Sequence, residues 1–386
     1  MNPETIAEVL SRLVAFDTTS RNSNLPLIDW VEDYLARLGI AAERIYGAAG
    51  EKANLWATIG PPDVPGFILS GHTDVVPVDG QVWASDPFRL RRDDKRLYAR
   101  GACDMKGFLA VCLAMVPRMR ERPLARPIHL AFSYDEEVGC IGARGIVEQL
   151  ARNSVRQEAC FVGEPTLMGV IIGHKSKRSL RVEVRGRTCH SSLAPDGVNA
   201  VEFAARLVAK IQTMARRLAA EGARDALYDV PYSTLHVGVL RGGTALNIVP
   251  DHAELLFEVR AVGADDPDSL VGEIVAYARD RLEPEMKAVD PDVGFDFKVM
   301  AGFPGLDMPA DHALVKLTKS LAGRNDHAKV AFGTEAGLYQ EIAGVPTVVI
   351  GPGSIDQAHK ADEWIAIAEL ERCARFIDAL IDRCRS

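Results

Sequence analysis

The chain has 386 residues, 47% hydrophobic and 25% charged, and its 45 basic and 53 acidic side chains give a formal net charge of −8. That length exceeds what one core usually supports, so two domains are expected, with the composition of an ordinary globular protein. No basic patch stands out and no apolar run approaches the roughly 18 residues of a bilayer span, which argues against nucleic acid and membrane as partners.

At the N-terminus, Met1-Asn2-Pro3-Glu4-Thr5 shows no basic region leading into an apolar one, so no signal peptide is read and a cytoplasmic protein is expected. The seven cysteines are scattered singly from Cys103 to Cys384 without a CxxC pair, which fits reduced, buried thiols. Residues 6–13 and 27–38 carry apolar side chains at helical spacing. Four short runs follow at 67–70, 128–134, 160–162 and 347–350, apolar on consecutive residues as strands buried on both faces of a parallel sheet are. Helical patterns at 107–119 and 141–151 separate them, so the fold class is α/β, with a central mostly parallel sheet flanked by helices.

Between residues 176 and 295 the pattern changes. Ser179-Leu180-Arg181-Val182-Glu183-Val184-Arg185 alternates, as a half-solvated antiparallel strand does. A helix over 198–218, strands over 234–240 and 253–260, a helix over 269–282 and a strand near 293–297 follow. The order β-α-β-β-α-β is that of a ferredoxin-like α+β layer. The expected organisation is therefore a discontinuous domain of residues 1–175 and 296–386, interrupted by an inserted domain of residues 176–295.

Ligands of open parallel sheets bind beyond the carboxyl ends of the strands. There the sequence places Gly71-His72-Thr73-Asp74, Asp135-Glu136-Glu137, Gly163-Glu164-Pro165, and Gly351-Pro352-Gly353 with His359 soon after. A fifth element, the glycine-bracketed Gly101-Ala102-Cys103-Asp104-Met105-Lys106-Gly107, opens the helix over 107–119. Two histidines with three or more carboxylates suffice to hold two divalent cations, one carboxylate bridging them. Cations would also offset the repulsion among three adjacent acids. Spacing alone does not separate Glu136 from Glu137, since neighbours at a strand end can point either way.

Taken in order, His72-Thr73-Asp74-Val75-Val76-Pro77, the stretch from Gly101 to Gly107, Asp135-Glu136-Glu137, Gly163-Glu164-Pro165-Thr166 and Gln357-Ala358-His359-Lys360 resemble the metal-binding series of the co-catalytic zinc aminoacylase and carboxypeptidase superfamily. The resemblance spans nearly the whole chain. It implies a zinc metallohydrolase domain with an inserted lid and dimerisation domain, in a homodimer. It implies two divalent ions, zinc or else cobalt, with Asp104 bridging, His72 and Glu164 on one ion and Glu137 and His359 on the other. It assigns the general base to Glu136 and the carboxylate that orients His72 to Asp74. His190, in Thr188-Cys189-His190-Ser191-Ser192, matches a histidine that reaches from the partner subunit to steady an oxyanion. Arg260 matches the position that receives the α-carboxylate of an N-acyl amino acid, with Asn247 and Thr334 as companions. Lys177-Arg178-Ser179 stands where desuccinylating members show Arg-Arg-Gly-Ser, a departure that weakens that reading. The implied reaction is hydrolysis of the acyl amide without a covalent intermediate. A binding protein that keeps the fold with a dead site is the rival, and the presence of every ligand and of the base counts against it. His129, His174, His236, His252, His312 and His327 have no metal-ligand spacing and are expected to be structural or surface residues, with His174 at the junction to the insertion.

Overall fold

A computed structural model describes residues 3–385. Met1 and Asn2, which begin the segment read for a signal peptide, lie outside the described residues. The chain divides into two compact units: the first is the chain up to His174 with Leu306–Lys329 and Thr334 onward, the second Lys175–Gly305 with Val330–Gly333. Among the described residues no helix is long and apolar enough to cross a membrane. All seven cysteines are free thiols, and every one except Cys189 is buried.

The first unit is built on a nine-stranded sheet. Its strands are β1 (Ala42–Tyr46), β2 (Ala53–Ile59), β3 (Phe67–His72), β4 (Ile128–Ser133), β5 (Ala159–Val162), β6 (Ile171–His174), β7 (Leu306–Asp307), β8 (Ala328–Val330) and β9 (Thr347–Val349). They lie in the order β1-β2-β4-β3-β5-β9-β6-β7, with β8 paired to β6. Within it β4, β3, β5 and β9 are mutually parallel, and β1, β2, β6 and β7 add antiparallel pairings on the flanks. The parallel core consists of the four runs expected from their unbroken apolarity, and each is buried along its whole length.

Register brings the carboxyl ends of these strands level: His72 lies opposite Ser133, Ser70 opposite Val162, and Val349 opposite Val162. Close backbone approach is needed there. A Cβ on Gly163, directly after β5, would lie 2.1 Å from the Phe108 ring, and one on Gly71 would lie 2.5 Å from Cε of Met105. The helix Lys106–Arg120 can therefore press its first turn against both strand ends. That helix is buried nearly all round, packing also on the helices Pro3–Val14 and Ile367–Cys384, which explains why its apolar residues are not confined to one stripe.

The second unit contains a four-stranded antiparallel sheet in the order Thr234–Gly242, His252–Ala261, Ser176–Arg185, Gly294–Phe303. Leu180, Val182, Val184, Leu255, Phe257 and Val259 turn inward on alternate positions and meet Leu207, Ile211, Met214 and Ile274 of its helices. The helix Ala200–Glu221 begins at Asn199, whose side chain accepts from the N–H groups of Val201 and Glu202. Asp266 caps Pro267–Tyr277 in the same way. Each such cap contributes about 1 kcal/mol. The last strand, expected near 293–297, runs on to Phe303, so the second unit reaches Gly305.

Candidate metal centre

The first unit gathers His72, Asp104, Glu137, Glu164 and His359 from five separate segments. His72 closes β3, Glu137 stands in the turn after β4, and Glu164 follows β5. Asp104 lies just ahead of the helix Lys106–Arg120, and His359 takes a left-handed conformation (φ 62°) in the loop beyond β9. Asp104 sits between the two imidazoles: its Oδ1 is 3.1 Å from Nε2 of His72, and its Oδ2 is 3.2 Å from Nε2 of His359. On the His72 side, Glu164 Oε1 is 3.7 Å from Nε2, while on the other side Glu137 Oε2 is 3.1 Å from Nε2 of His359. Donor atoms of His72, Asp104 and Glu137 lie within 4.8 Å of one another, as do those of His72, Glu136 and Glu164.

The charges of this cluster do not balance on their own. Burial pushes Glu136 up to about 8 and Glu137 up to about 7, with neighbouring carboxylates adding to the effect, and drives Glu164 well above the usual carboxylate range. Burial opposes a charged His72, yet hydrogen bonds to Asp104 and Asp74 outweigh it and hold the imidazolium far above its ordinary range. His359 is pushed up to about 10 by its bonds to Asp104 and Glu137. Burial would raise Asp104, but its bonds to His359 and His72 hold it below the ordinary value. Five acids, Asp74, Asp104, Glu136, Glu137 and Glu164, thus face two imidazoles. Hard oxygen and imidazole donors starved of positive charge are what divalent cations of the zinc type require, so the residues fit such a group.

Supporting residues fix the donors. Nδ1 of His72 donates to the backbone oxygen of Asp74 at 2.9 Å, which leaves Nε2 for a cation. The Asp74 carboxylate lies 3.5 Å from the same Nδ1 and accepts from the N–H groups of Glu136 (3.0 Å) and Glu137 (3.3 Å) and from Oγ of Ser20 (2.7 Å). Asp74 therefore holds the acidic turn as well as the histidine. Lys52 pairs with Asp135 at 2.5 Å, so the third acid of that turn points to a lysine and away from the cluster. Two buried acids escape a sequence reading. Glu335 accepts from Oγ of Ser70 and of Ser133, both at 2.6 Å. Glu363 accepts from backbone N–H groups of the Asp104 loop. The only sequence signal for either is proximity to a segment already singled out.

His190, Asn247 and Arg260 belong to the second unit. His190 is exposed, accepting from Ser192 N–H through Nδ1, and its segment is bridged to Ile248 with Ser191 N–H donating to the Asn247 oxygen. These two segments are therefore neighbours. Arg260 donates from Nε to Glu258 at 2.9 Å. Thr334, in the first unit, is fully buried and its Oγ1 accepts from Ala336 N–H. Of the remaining histidines, His129 bonds Thr58 and Gln157, His252 pairs with Glu183, His312 caps the helix Ala313–Ala322, and His327 meets Lys319.

Residues 68–383 match peptidase family M20/M25/M40. An acetylornithine deacetylase of Myxococcus xanthus is 34% identical over 369 residues, covering 94% of this chain and 93% of the relative. One of Photorhabdus laumondii is 31% identical over 370 residues, covering 95% and 92%. Among solved structures, an aminopeptidase of Bacillus cereus superposes with a TM-score of 0.77 at 21% identity over 100% of both chains. A dinuclear metal-binding peptidase of Bacillus subtilis gives 0.67 at 16% identity, covering 99% of this chain and 98% of that one.

Proposed function

The chain belongs to peptidase family M20/M25/M40, and from that premise we propose that it hydrolyses N2-acetyl-L-ornithine to L-ornithine and acetate, a step toward arginine. One observation carries the chemistry: Asp104 turns one oxygen to His72 and the other to His359. The choice of substrate is supported by relatives of that name that align with 94% and 95% of the chain.

In this reading Asp104 would be shared by two divalent ions, zinc in first place and cobalt in second, with His72 and Glu164 holding one and Glu137 and His359 the other. When bound, such ions supply an acidified water and polarise the amide oxygen. Glu136 is the proton carrier. Burial pushes its carboxyl up to about 8, with Glu137, Asp104 and Asp74 adding to the effect against the pull of His72, and bound cations would favour the charged form. Cys140 Sγ donates to its Oε1 at 3.3 Å, and the carboxylate takes the proton of the water and returns it to the leaving amine. His190, supplied by the partner in a homodimer, steadies the oxyanion, while Arg260 and Asn247 receive the α-carboxylate, alongside the backbone at Thr334. Free thiols throughout fit a cytoplasmic enzyme.

A desuccinylase reading is disfavoured by Arg178, whose Nε and Nη2 grip Asp268 at 2.7 and 2.8 Å and whose Nη1 donates to the oxygens of Lys177 and Phe303. The test is a side-by-side assay of acetylornithine, acetylcitrulline and succinyl-diaminopimelate, before and after chelation. Acetylornithine should give the highest kcat/KM, chelation should abolish turnover, and zinc or cobalt should restore it. Preference for the succinyl substrate, or indifference to the chelator, would refute the proposal.

A further inference from the structure

Arg100 is the largest of the fully buried side chains, with 1% of its surface exposed. Its Nη1 donates to Oε2 of Glu363 at 2.7 Å, and its Nη2 donates to Oε1 of Gln81 at 2.7 Å. Longer bonds reach the backbone oxygens of Lys360 (3.3 Å) and Pro77 (3.5 Å). Glu363 is as deeply buried, and its carboxylate accepts from three successive parts of one loop: Gly101 N–H at 3.0 Å, Cys103 N–H at 2.8 Å and Asp104 N–H at 3.1 Å. Gln81 Oε1 also accepts from Trp83 Nε1 at 3.2 Å. With two donors on the oxygen, the orientation of its amide is fixed, and its Nε2 donates to the backbone oxygen of His359 at 3.0 Å.

The network thus grips the loop that carries Asp104 through Glu363, and the loop that carries His359 through Gln81 and Arg100. Stability alone is a poor reason for it, because a buried ion pair contributes little beyond what apolar packing would give. His72 and Glu164, which share only Asp104 with this network, are held from outside it: His72 through the backbone of Asp74, and the start of the Glu164 turn through Gly163 N–H bonded to the Ser70 oxygen at 3.0 Å.

We propose that Arg100, Glu363 and Gln81 are positioning residues that set Asp104 against His359, and so govern chiefly the affinity of the cation that these two share with Glu137; the cation at His72 and Glu164 has only Asp104 in common with the network and is affected less. The proposal rests on the two-cation reading above. Loss of such outer support typically costs 10- to 100-fold in metal affinity.

Metal-free protein would be titrated with Co2+, following heat and the cobalt absorption bands. His72→Ala and His359→Ala serve as references that label each site's spectrum. The wild type should take two ions. Glu363→Gln should weaken by ~10-fold or more the ion whose bands are missing in His359→Ala, and the other ion, which shares only Asp104 with the network, by a clearly smaller factor. Gln81→Ala, outside the ion pair and only partly buried, should weaken that same ion by a smaller factor, and it decides the matter alone if Glu363→Gln fails to fold. Equal weakening of both ions, loss on the His72 side, or unchanged affinities in Gln81→Ala would overturn the proposal while leaving the two-cation reading intact. A wild type that binds fewer than two ions would overturn both.

Discussion

Glu136 and Glu137 are adjacent in sequence and take different tasks in the proposed mechanism. Glu137 lies 3.1 Å from His359, whereas Glu136 meets the thiol of Cys140. What separates them is the Asp74 carboxylate, which accepts from both backbone N–H groups and so fixes the turn. Removing the proton-carrying group while keeping its shape should therefore spare the ligands: Glu136→Gln should lower kcat by ~10²- to 10⁴-fold with unchanged metal content by elemental analysis. Activity within tenfold of wild type would exclude Glu136 as base. The segments of His72, Glu136-Glu137 and Glu164 are legible in the sequence because buried apolar runs announce where strands stop; Asp104 and His359 sit in loops, and only the family resemblance singles out Glu137 over Glu136. Asp74, Glu335 and Glu363 show what is less legible. Their acceptor bonds go to backbone and hydroxyl groups that only the fold brings near.

His129 is a residue of another kind, buried in β4 away from the cluster. Nε2 donates to Gln157 Oε1, which also accepts Gly66 N–H, and Nδ1 accepts from Thr58 Oγ1, so the neutral ring satisfies both neighbours. Burial pushes it from 6.5 down to about 4. Between those values the unfolded chain binds the proton and the folded one does not. The resulting stability is complete above pH 6.5 and is lost as pH falls through 4, in total on the order of 3 kcal/mol at about 1.4 kcal/mol per pH unit. Urea unfolding of His129→Gln should depend less steeply on pH between 4 and 6.5 than that of the wild type. Equal slopes would contradict this.

At the scale of elements, the helix Lys106–Arg120 and β5 meet at a single glycine. In Gly163→Ala the added methyl would collide with the Phe108 ring and displace the residue that carries Glu164. A cost of ~1–3 kcal/mol is expected from such overpacking, together with lower metal occupancy, and Phe108→Leu in the same chain should recover part of both. Additive losses in the double variant, measured by denaturant unfolding, would argue against the collision. The parallel strands are easy to read because both faces are buried. The hairpin of β1 and β2 is not, since β1 is half exposed and β2 contains Asn54, a polar residue whose amide is used up on Gly142 oxygen and Tyr134 N–H. In the second unit, period-two alternation marks the sheet face that its helices cover.

For the whole molecule, the proposed homodimer, with a site on one chain completed by a histidine on the other, makes a prediction that stability data cannot mimic. His190→Ala and Glu136→Gln should each be nearly inactive alone. Co-expressed, they form mixed dimers in which the Glu136→Gln subunit lends His190 to the one site with an intact base, so activity should return at a fraction of the wild-type level. No recovery in verified mixed dimers would place His190 outside the partner's site. Everything nevertheless depends on the cations. Anomalous diffraction from crystals of zinc-loaded protein addresses them most directly: two peaks are expected, one between Asp104, His72 and Glu164 and one between Asp104, His359 and Glu137. Peaks elsewhere, or none at these side chains, would contradict the two-cation centre and the amide hydrolysis built on it.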